Sequence, residues 1–362
     1  MELAAKPDAD KARQRVEAWW AGRIIDRVCI KVTAPLAPSI PEPEPDDMSP
    51  EDIQAYWFDS NVVIPRWRRS LARTWWGGEA FPVIFPMSIF IPAVTAAYLG
   101  CPLKVQGTHT GWCESIITDW DRSPELTFDP DNQWYQRTVE LLRAAGSTAP
   151  GEYYLGLPDL NGPGELLSRL RGPENLALDL IENPQRVHDA MKKINRAWFD
   201  CWKALTDVIR EYVDGYFTWM RLWSEAPAID LQTDFSIMIS QNMFDTFFLP
   251  HIEQQTEWVG RTIYHLDGPG AARHLDSLLE LPKLTGIQWV PGAGAPSMSH
   301  WIDLLKRVQS AGKLLYITCR NDEVEVLLSE LRPEGLLINT YADSVRHGQE
   351  IIKLAERMTA AR

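Results

Sequence analysis

The residues best suited to chemistry are His265 and Asp267, in the segment TIYHLDGPG. The apolar run at 262–266 predicts a β-strand, and side chains two positions apart leave the same face of a strand. An imidazole and a carboxylate that converge in this way can bind a metal ion, typically zinc, or act as acid and base. In the alternative interpretation, Asp267 caps the helix that begins after Gly270 and His265 bonds a neighbouring loop.

Other reactive groups stand at the ends of predicted strands. Asp159 follows YYLGL and Asp234 ends the run IDLQTDFS. Each carboxylate could orient a substrate or supply a proton, and each could equally cap a helix or form a buried ion pair. Cys319 follows LLYIT and could be a third zinc ligand, although a lone cysteine is more often a small buried residue. Glu225 is a weaker candidate for substrate binding.

Aromatic side chains form a second group of candidates. The chain has 16 tryptophans, and indoles around a barrel mouth can hold a cation or stack on a flat ligand. Core packing is the alternative for each of them. The residues whose positions near predicted strands favour a place in a substrate pocket are Trp112, Trp219, Trp223, Trp289, Asn339 and Tyr341.

Several common catalytic motifs are missing from the sequence. It contains no His-Glu-x-x-His, no Gly-x-Ser-x-Gly and no Walker loop, which disfavours protease, esterase and nucleotide hydrolase functions. Gly-Pro-Gly occurs at 162–164 and at 268–270. Each turn could receive an anion at a helix N-terminus or simply connect a strand to a helix, and neither is a dinucleotide-binding motif.

The elements that must position these residues alternate regularly. Short apolar runs recur, with amphipathic helices between the later ones, which predicts βαβ units and a parallel sheet. The nearly constant spacing of the last four units favours a closed TIM-type (β/α)8 barrel over a doubly wound, Rossmann-like sheet. Such barrels place catalytic residues at the carboxyl ends of their strands. The predicted strands cover residues 81–85, 153–157, 216–220, 262–266, 286–290, 314–318 and 336–340.

The first part of the chain predicts a different organisation. We expect residues 1–75 to form an N-terminal elaboration of helices and loops, packed on a barrel formed by residues 76–362. Within the elaboration, a helix is predicted over about 8–22, followed by a short strand at 28–32. Prolines in the segment 34–50 exclude helix and sheet interiors, so this segment is predicted to be a loop.

Bulk composition excludes several classes of protein. The net charge of −13 over 362 residues repels phosphate backbones, so nucleic acid is not an expected partner. No uninterrupted apolar run is long enough to span a membrane, and the first residues lack an apolar signal core, which predicts a cytoplasmic protein. The five cysteines are scattered, without a Cys-x-x-Cys pair, and indicate neither a disulfide framework nor a structural zinc site.

One long segment, LQTDFSIMISQNMFDTFFLPHIEQQTE, resembles the uroporphyrinogen decarboxylase superfamily, in which an aspartate-containing strand end leads to Ser, then Phe and Leu-Pro before a helix. LGCP at 99–102 and RPEGLLINT at 332–340 are similar to matching segments, and the resemblance spans most of the chain from about residue 55. YHLDGPG stands where zinc-dependent methyltransferases of the superfamily, which act on cobalamin proteins and coenzyme M, have a His-x-Cys-Gly motif. The resemblance implies a barrel, a homodimer, and decarboxylase or methyltransferase chemistry.

The chain departs from this superfamily at informative positions. It lacks the arginine-rich N-terminal segment that grips porphyrinogen carboxylates, which disfavours decarboxylation in heme synthesis. Asp267 stands in place of the second zinc ligand of the methyltransferases, a cysteine, and the region of a further cysteine has Asn339 and Tyr341. A His and carboxylate site suits an oxygen or nitrogen methyl donor better than a thiol. This resembles the demethylating partners of corrinoid proteins.

The leading hypothesis is a methyltransferase (demethylase) that moves a methyl group from a small methoxy or methylamine donor to a corrinoid, free or protein-bound. His265 and Asp267 would bind zinc or polarise the donor, Asp159 and Asp234 would orient the substrate or supply a proton, and the tryptophans would exclude water. The first alternative is a cofactor-independent decarboxylase of a small carboxylic acid, in which Asp234 stabilises a protonated intermediate. Few arginines at strand ends (Arg221 and Arg320) would serve it. The second alternative is a non-catalytic ligand-binding barrel.

Overall fold

The computed structural model describes residues 3–37, 48–87, 94–107 and 110–360. Most of the predicted proline-rich loop lies outside these residues. Within them, no helix combines the length and the apolar character that crossing a bilayer requires. The strands are β1 (Cys29–Pro35), β2 (Thr74–Gly78), β3 (Val83–Ile84), β4 (Leu103–Gln106), β5 (Thr110–Cys113), β6 (Tyr154–Leu155), β7 (Tyr216–Phe217), β8 (Trp223–Ser224), β9 (Ala228–Gln232), β10 (Arg261–Asp267), β11 (Gly286–Val290), β12 (Leu314–Thr318) and β13 (Leu336–Tyr341).

Helices separate the later strands and cover the outer face of the sheet. The predicted N-terminal helix over about 8–22 corresponds to α1. The helices are α1 (Ala9–Trp20), α2 (Pro50–Phe58), α3 (Ser60–Ala72), α4 (Val94–Tyr98), α5 (Gln133–Thr148), α6 (Pro163–Arg171), α7 (Pro173–Glu182), α8 (Pro184–Ile209), α9 (Gln241–Phe247), α10 (Leu249–Trp258), α11 (Gly268–Ala271), α12 (Leu275–Glu280), α13 (Ile302–Ser310), α14 (Val324–Glu330) and α15 (Val345–Thr359).

The central sheet has seven strands in the order β2, β1, β13, β12, β11, β10, β9. Strands β9 to β13 and β1 are parallel, and β2 joins the edge antiparallel to β1. Consecutive strands are neighbours and β1 pairs with β13, which is the order of a barrel, whereas a doubly wound sheet reverses its order at a switch point. Among the described residues the hydrogen-bonded sheet ends at β2 and β9. The architecture is therefore α/β and compatible with the predicted TIM-type barrel, without a continuous closed ladder.

The strands between β2 and β9 in the chain are short. β3 pairs with β6 in parallel, and the backbone N–H of Leu157 donates to the carbonyl of Phe217 at the end of β7, 2.9 Å away. Pro82 and Pro86 flank β3 and cannot donate to a ladder. The three predicted strands of this part of the chain are consequently present as two-residue segments.

The later strands agree closely with the sequence analysis. β10 to β13 cover the predicted apolar runs to within one residue at each end, because each run is buried between its neighbours and a layer of helices. β9 is absent from the predicted strands. The polar side chains of Asp230 and Gln232 interrupt its apolar pattern, and both are buried.

The segment before residue 76 contributes directly to the sheet. β1 lies between β2 and β13, so the predicted boundary at residues 75 and 76 does not separate an elaboration from a barrel. Helix α1 crosses the amino ends of the strands. The indole of Trp19 donates to the carbonyl of Gly335, just before β13, and Glu17 bonds Arg261, the first residue of β10, at 2.6 Å and 2.7 Å.

A buried ion cluster around Glu79 fixes β1 against β2. The Glu79 carboxylate accepts two 2.8 Å hydrogen bonds from Arg27, one of 2.8 Å from the backbone N–H of Ile30, and one of 3.3 Å from Arg15. Arg15 belongs to α1 and also bonds Asp26. Because Glu79 directly follows β2, one carboxylate joins the first helix and the first two strands.

We expect Glu79→Gln to lower the free energy of unfolding by about 3 to 5 kcal/mol, because it leaves a buried guanidinium without its carboxylate. Chemical denaturation followed by circular dichroism measures the change. The matched control Glu330→Gln removes an exposed ion pair with Lys306 and should cost less than about 1 kcal/mol. Equal losses in the two variants would contradict the role of the cluster.

Candidate functional site

Asp234, His265 and Asp267 meet at the carboxyl ends of β9 and β10. Their potential ligand atoms all lie within 4.8 Å of one another. His265 and Asp267 are on β10, and Asp234 opens the 3-10 turn Asp234–Met238 that follows β9. Since β9 and β10 are parallel neighbours, both strands deliver their last residues to the same edge of the sheet.

The imidazole of His265 is oriented by its neighbours. Its Nδ1 lies 2.5 Å from Oε1 of Gln288, the residue that faces it across β10 and β11. With an amide oxygen as acceptor, Nδ1 carries the proton and the lone pair of Nε2 is left for a ligand. The indole of Trp219 packs edge-on against the imidazole, with ring centroids 5.3 Å apart. Gln288 fixes the tautomer, and Trp219 covers the ring.

The carboxylate of Asp267 retains an unused acceptor. Its Oδ1 is buried and has no hydrogen-bond partner in the described part of the chain, and the side chain makes no capping bond to α11. The capping interpretation of this residue is therefore not what the structure shows. A buried acceptor without a donor is unfavourable, and a cation at this point would relieve that cost.

Two neighbouring carboxyl groups titrate unusually. Asp159 lies in the loop before α6, where its Oδ1 accepts from the backbone N–H of Asn161 at 2.8 Å. Burial raises the pKa of Asp159 to about 6, with a further increase from the charge of Asp234, while the Asn161 N–H and His265 oppose the shift. Burial likewise raises the pKa of Asp234, and Asp267 adds to this. A carboxyl group that titrates near neutrality can act as an acid or a base.

Further charged groups lie within the strands β1 and β9. The backbone N–H of Met220 donates to Asp230 on β9 at 2.9 Å, and the Lys31 ammonium on β1 donates to the carbonyl of Met220 at 2.8 Å and to the hydroxyl of Tyr316 at 3.1 Å. Burial raises the pKa of Asp230 to about 7 and lowers that of Lys31 to about 7. Sequence analysis missed Lys31, Asp230 and Gln288. The signal that could have found them is a polar residue at an inward-facing position inside an apolar strand.

Two predicted pocket residues lie at the opposite end of the sheet. Trp223 and Glu225 line an open cleft of about 920 Å³ beside α1 and Arg261, and the backbone N–H of Glu225 donates to Glu17 at 2.8 Å. Arg261 begins β10 and Asp267 ends it, and the six steps between them span about 20 Å. The structure therefore does not bring Trp223 and Glu225 to the candidate site.

Three other predicted residues are not among the three converging side chains. Trp289 is fully buried and packs on Trp301 with centroids 5.0 Å apart, on the face of β11 opposite to Gln288. Cys319 is outside the group of ligand atoms, and burial raises the pKa of its thiol to about 12, so it is a neutral packing residue. Trp112 is 44% exposed on the hairpin formed by β4 and β5.

The last strand reaches the same edge as the candidate site. Asn339 donates to the hydroxyl of Thr318 at 3.3 Å, and Tyr341 is 62% exposed. An open cleft of about 980 Å³ at this edge is lined by Asp267, Cys319 and Tyr341 among others. This cleft gives a ligand a path from solvent to the Asp267 carboxylate.

Comparison with solved structures adds one observation. The chain is similar in fold to a methyltransferase from Methanosarcina mazei. The TM-score is 0.60 and the sequence identity is 11%, over 96% of this chain and 97% of that chain. At this identity the likeness concerns the fold alone. No family model matches the chain, and no curated protein matches it.

The raised pKa of Asp159 predicts a specific dependence of stability on pH. Its protonated form contributes stability that is fully present below its ordinary pKa of 3.8 and is lost as pH rises through about 6. Between about pH 4 and about pH 7 we expect wild-type protein to lose about 2 to 3 kcal/mol relative to Asp159→Asn. Urea denaturation of both proteins across this range measures the difference, and a difference that does not vary with pH would contradict the expectation.

Proposed function

We propose that this protein is a methyltransferase that demethylates a small methoxy or methylamine donor and passes the methyl group to a corrinoid, free or bound to a partner protein. The observation that carries the proposal is the convergence of Asp234, His265 and Asp267 at the edge of the sheet that opens to solvent. The likeness in fold to a methyltransferase supports it at the level of architecture.

The three residues fit a divalent metal ion, and zinc is our first choice. One imidazole nitrogen and two carboxylates are ligands that zinc accepts, and three protein ligands leave a position for a substrate. Such an ion would bind Oδ1 of Asp267, which has no partner among the described residues, and Nε2 of His265, because Gln288 bonds the other ring nitrogen. When bound, the ion would supply Lewis-acid activation of the donor oxygen or nitrogen.

The remaining chemistry belongs to the side chains. Demethylation leaves a basic oxygen or nitrogen on the donor, which needs a proton. Asp159 is close enough to His265 and Asp234 for their charges to act on its carboxyl group, and that group is our candidate for delivering the proton. Gln288 holds the imidazole in one orientation, and Trp219 shields it from water.

Metal analysis tests the ligand set. We expect freshly purified protein to hold about one equivalent of zinc per chain, and Asp267→Asn to hold markedly less because one of three ligands is lost. Gln288→Leu should weaken zinc binding about 10- to 100-fold, since the imidazole loses the bond that orients it. Inductively coupled plasma mass spectrometry gives the stoichiometry, and competition with a chromophoric chelator gives the affinity.

Asp207→Asn is the matched control for the metal measurement, because it changes an exposed carboxylate on α8 that pairs with Lys203. It should bind zinc like the wild type. Wild-type protein that takes up no divalent ion, or an Asp267→Asn variant that binds as tightly as the control, would contradict the proposed ligand set.

Spectroscopy tests the reaction itself. Incubation with cob(I)alamin and a panel of methoxy and methylamine donors should produce the absorbance of methylcobalamin with at least one donor. We expect Asp159→Asn to slow this reaction about 100-fold or more, because general acid catalysis of this kind typically contributes 10²- to 10⁴-fold. If no donor yields methylcobalamin in the presence of zinc, the methyltransferase proposal fails.

A further inference from the structure

Two cations inside the barrel have no carboxylate partner among the residues that the structure describes. Lys31 is buried on β1, and Arg221 is half-buried in the turn between β7 and β8. Neither side chain forms an ion pair within the described ranges. Lys31 donates to the carbonyl of Met220, the residue before Arg221, which places the two cations near each other. Asp230, which accepts from the backbone N–H of Met220, is a nearby acid, and burial raises its pKa to about 7. Two neighbouring positive charges in a protein interior are unfavourable unless an anion joins them.

Most of the Arg221 guanidinium is available to a ligand. In the described part of the protein its side chain makes one hydrogen bond, from Nη1 to the carbonyl of Val83 at 3.3 Å. The guanidinium lies over the rings of Phe85 and Trp76, 5.3 Å and 6.0 Å from their centroids. Aromatic neighbours hold the planar group in place without using its donors, and a guanidinium has five N–H groups.

The backbone at Arg221 is held in an unfavourable conformation. Its φ angle is 59°, in the left-handed region that residues with a Cβ atom rarely adopt. The turn is fixed by a 2.8 Å hydrogen bond from the Arg221 N–H to the carbonyl of Thr218, and by the bond between Met220 and Asp230. Backbone strain of this kind persists where the surrounding structure imposes it, typically at ligand sites.

Both cations are linked to the candidate metal site through shared neighbours. Trp219 lies against the imidazole of that site, and the two residues from Trp219 to Arg221 span at most about 7 Å. On the other side, Lys31 donates to the hydroxyl of Tyr316, and Tyr316 faces Gln288 in register across β11 and β12. The cations and the imidazole therefore share the neighbours Trp219, Tyr316 and Gln288.

We propose that Lys31 and Arg221 bind the carboxylate of a small organic acid, and that this acid is the methyl donor. The identity of the acid as donor rests on the proposed function, whereas recognition of its carboxylate can be measured without any methyl transfer. A desolvated guanidinium and an ammonium group are strong, charge-assisted donors to a carboxylate. Bound in this way, the acid directs its methoxy or amine end towards Asp234, His265 and Asp267.

Calorimetry with matched ligands tests the proposal. The probes are methoxyacetate and 4-methoxybenzoate, each beside its primary amide, which has nearly the same shape without the charge. Wild-type protein should bind at least one acid about tenfold or more tightly than its amide. Arg221→Gln and Lys31→Gln should reduce this preference to about twofold or less. The control Arg196→Gln changes an exposed arginine on α8 that pairs with Asp200, and it should retain the full preference.

A second readout uses the unaltered chain. Phenylglyoxal modification of Arg221, followed by mass spectrometry of its peptide, should be slowed by the acid and not by the amide. The inference is overturned if neither acid is preferred over its amide, or if Arg221→Gln keeps the full preference. A carboxylate preference without methyl transfer to cob(I)alamin would overturn the methyltransferase proposal and the role of the acid as donor, and would leave the carboxylate site in place. Methyl transfer without any carboxylate preference would overturn this inference alone.

Discussion

Charge placed in a protein interior must be paired or neutralised, and the interior of this protein meets that constraint in different ways. Glu79 is fully paired, and its two arginines join α1 to the first strands. For Lys31 and Asp230, burial moves both pKa values towards neutrality. Among the residues that the structure describes, Asp267 has an acceptor without a donor, and Arg221 has donors without an anion. The pairing of Glu79 stabilises the fold. Asp267 and Arg221 leave interactions that a ligand can complete.

A strand could be predicted from the sequence where its residues are mainly apolar. β10 to β13 follow from the sequence because they are mainly apolar runs separated by amphipathic helices. β9 does not, because Asp230 and Gln232 face the interior and break its pattern. The partnership of β1 with β13 joins residues more than 300 positions apart, and no local pattern contains that information. Sequence analysis accordingly assigned β1 to an elaboration, and the structure places it within the sheet.

The candidate site was predictable to a similar extent. The rule that barrel strands carry chemistry at their carboxyl ends selected Asp234, His265 and Asp267 separately, and the parallel pairing of β9 and β10 brings them together. The same rule misplaced Trp223 and Glu225, because the turn at Arg221 reverses the chain and returns it to the amino end in β8. The supporting side chains were missed for a different reason. Lys31, Asp230 and Gln288 each interrupt an apolar run, and their role becomes apparent only when the neighbouring strands are known.

Helix α1 has a consequence for the kinetics of the proposed reaction. Because it lies across the amino ends of the strands, both reactants of the proposed reaction would enter by the cleft beside Asp267 and Tyr341. The small donor would have to enter before the corrinoid, because a bound corrinoid would block the cleft. Turnover would then follow a compulsory order. The donor would bind first and the corrinoid second, and the demethylated product would leave only after the corrinoid had left.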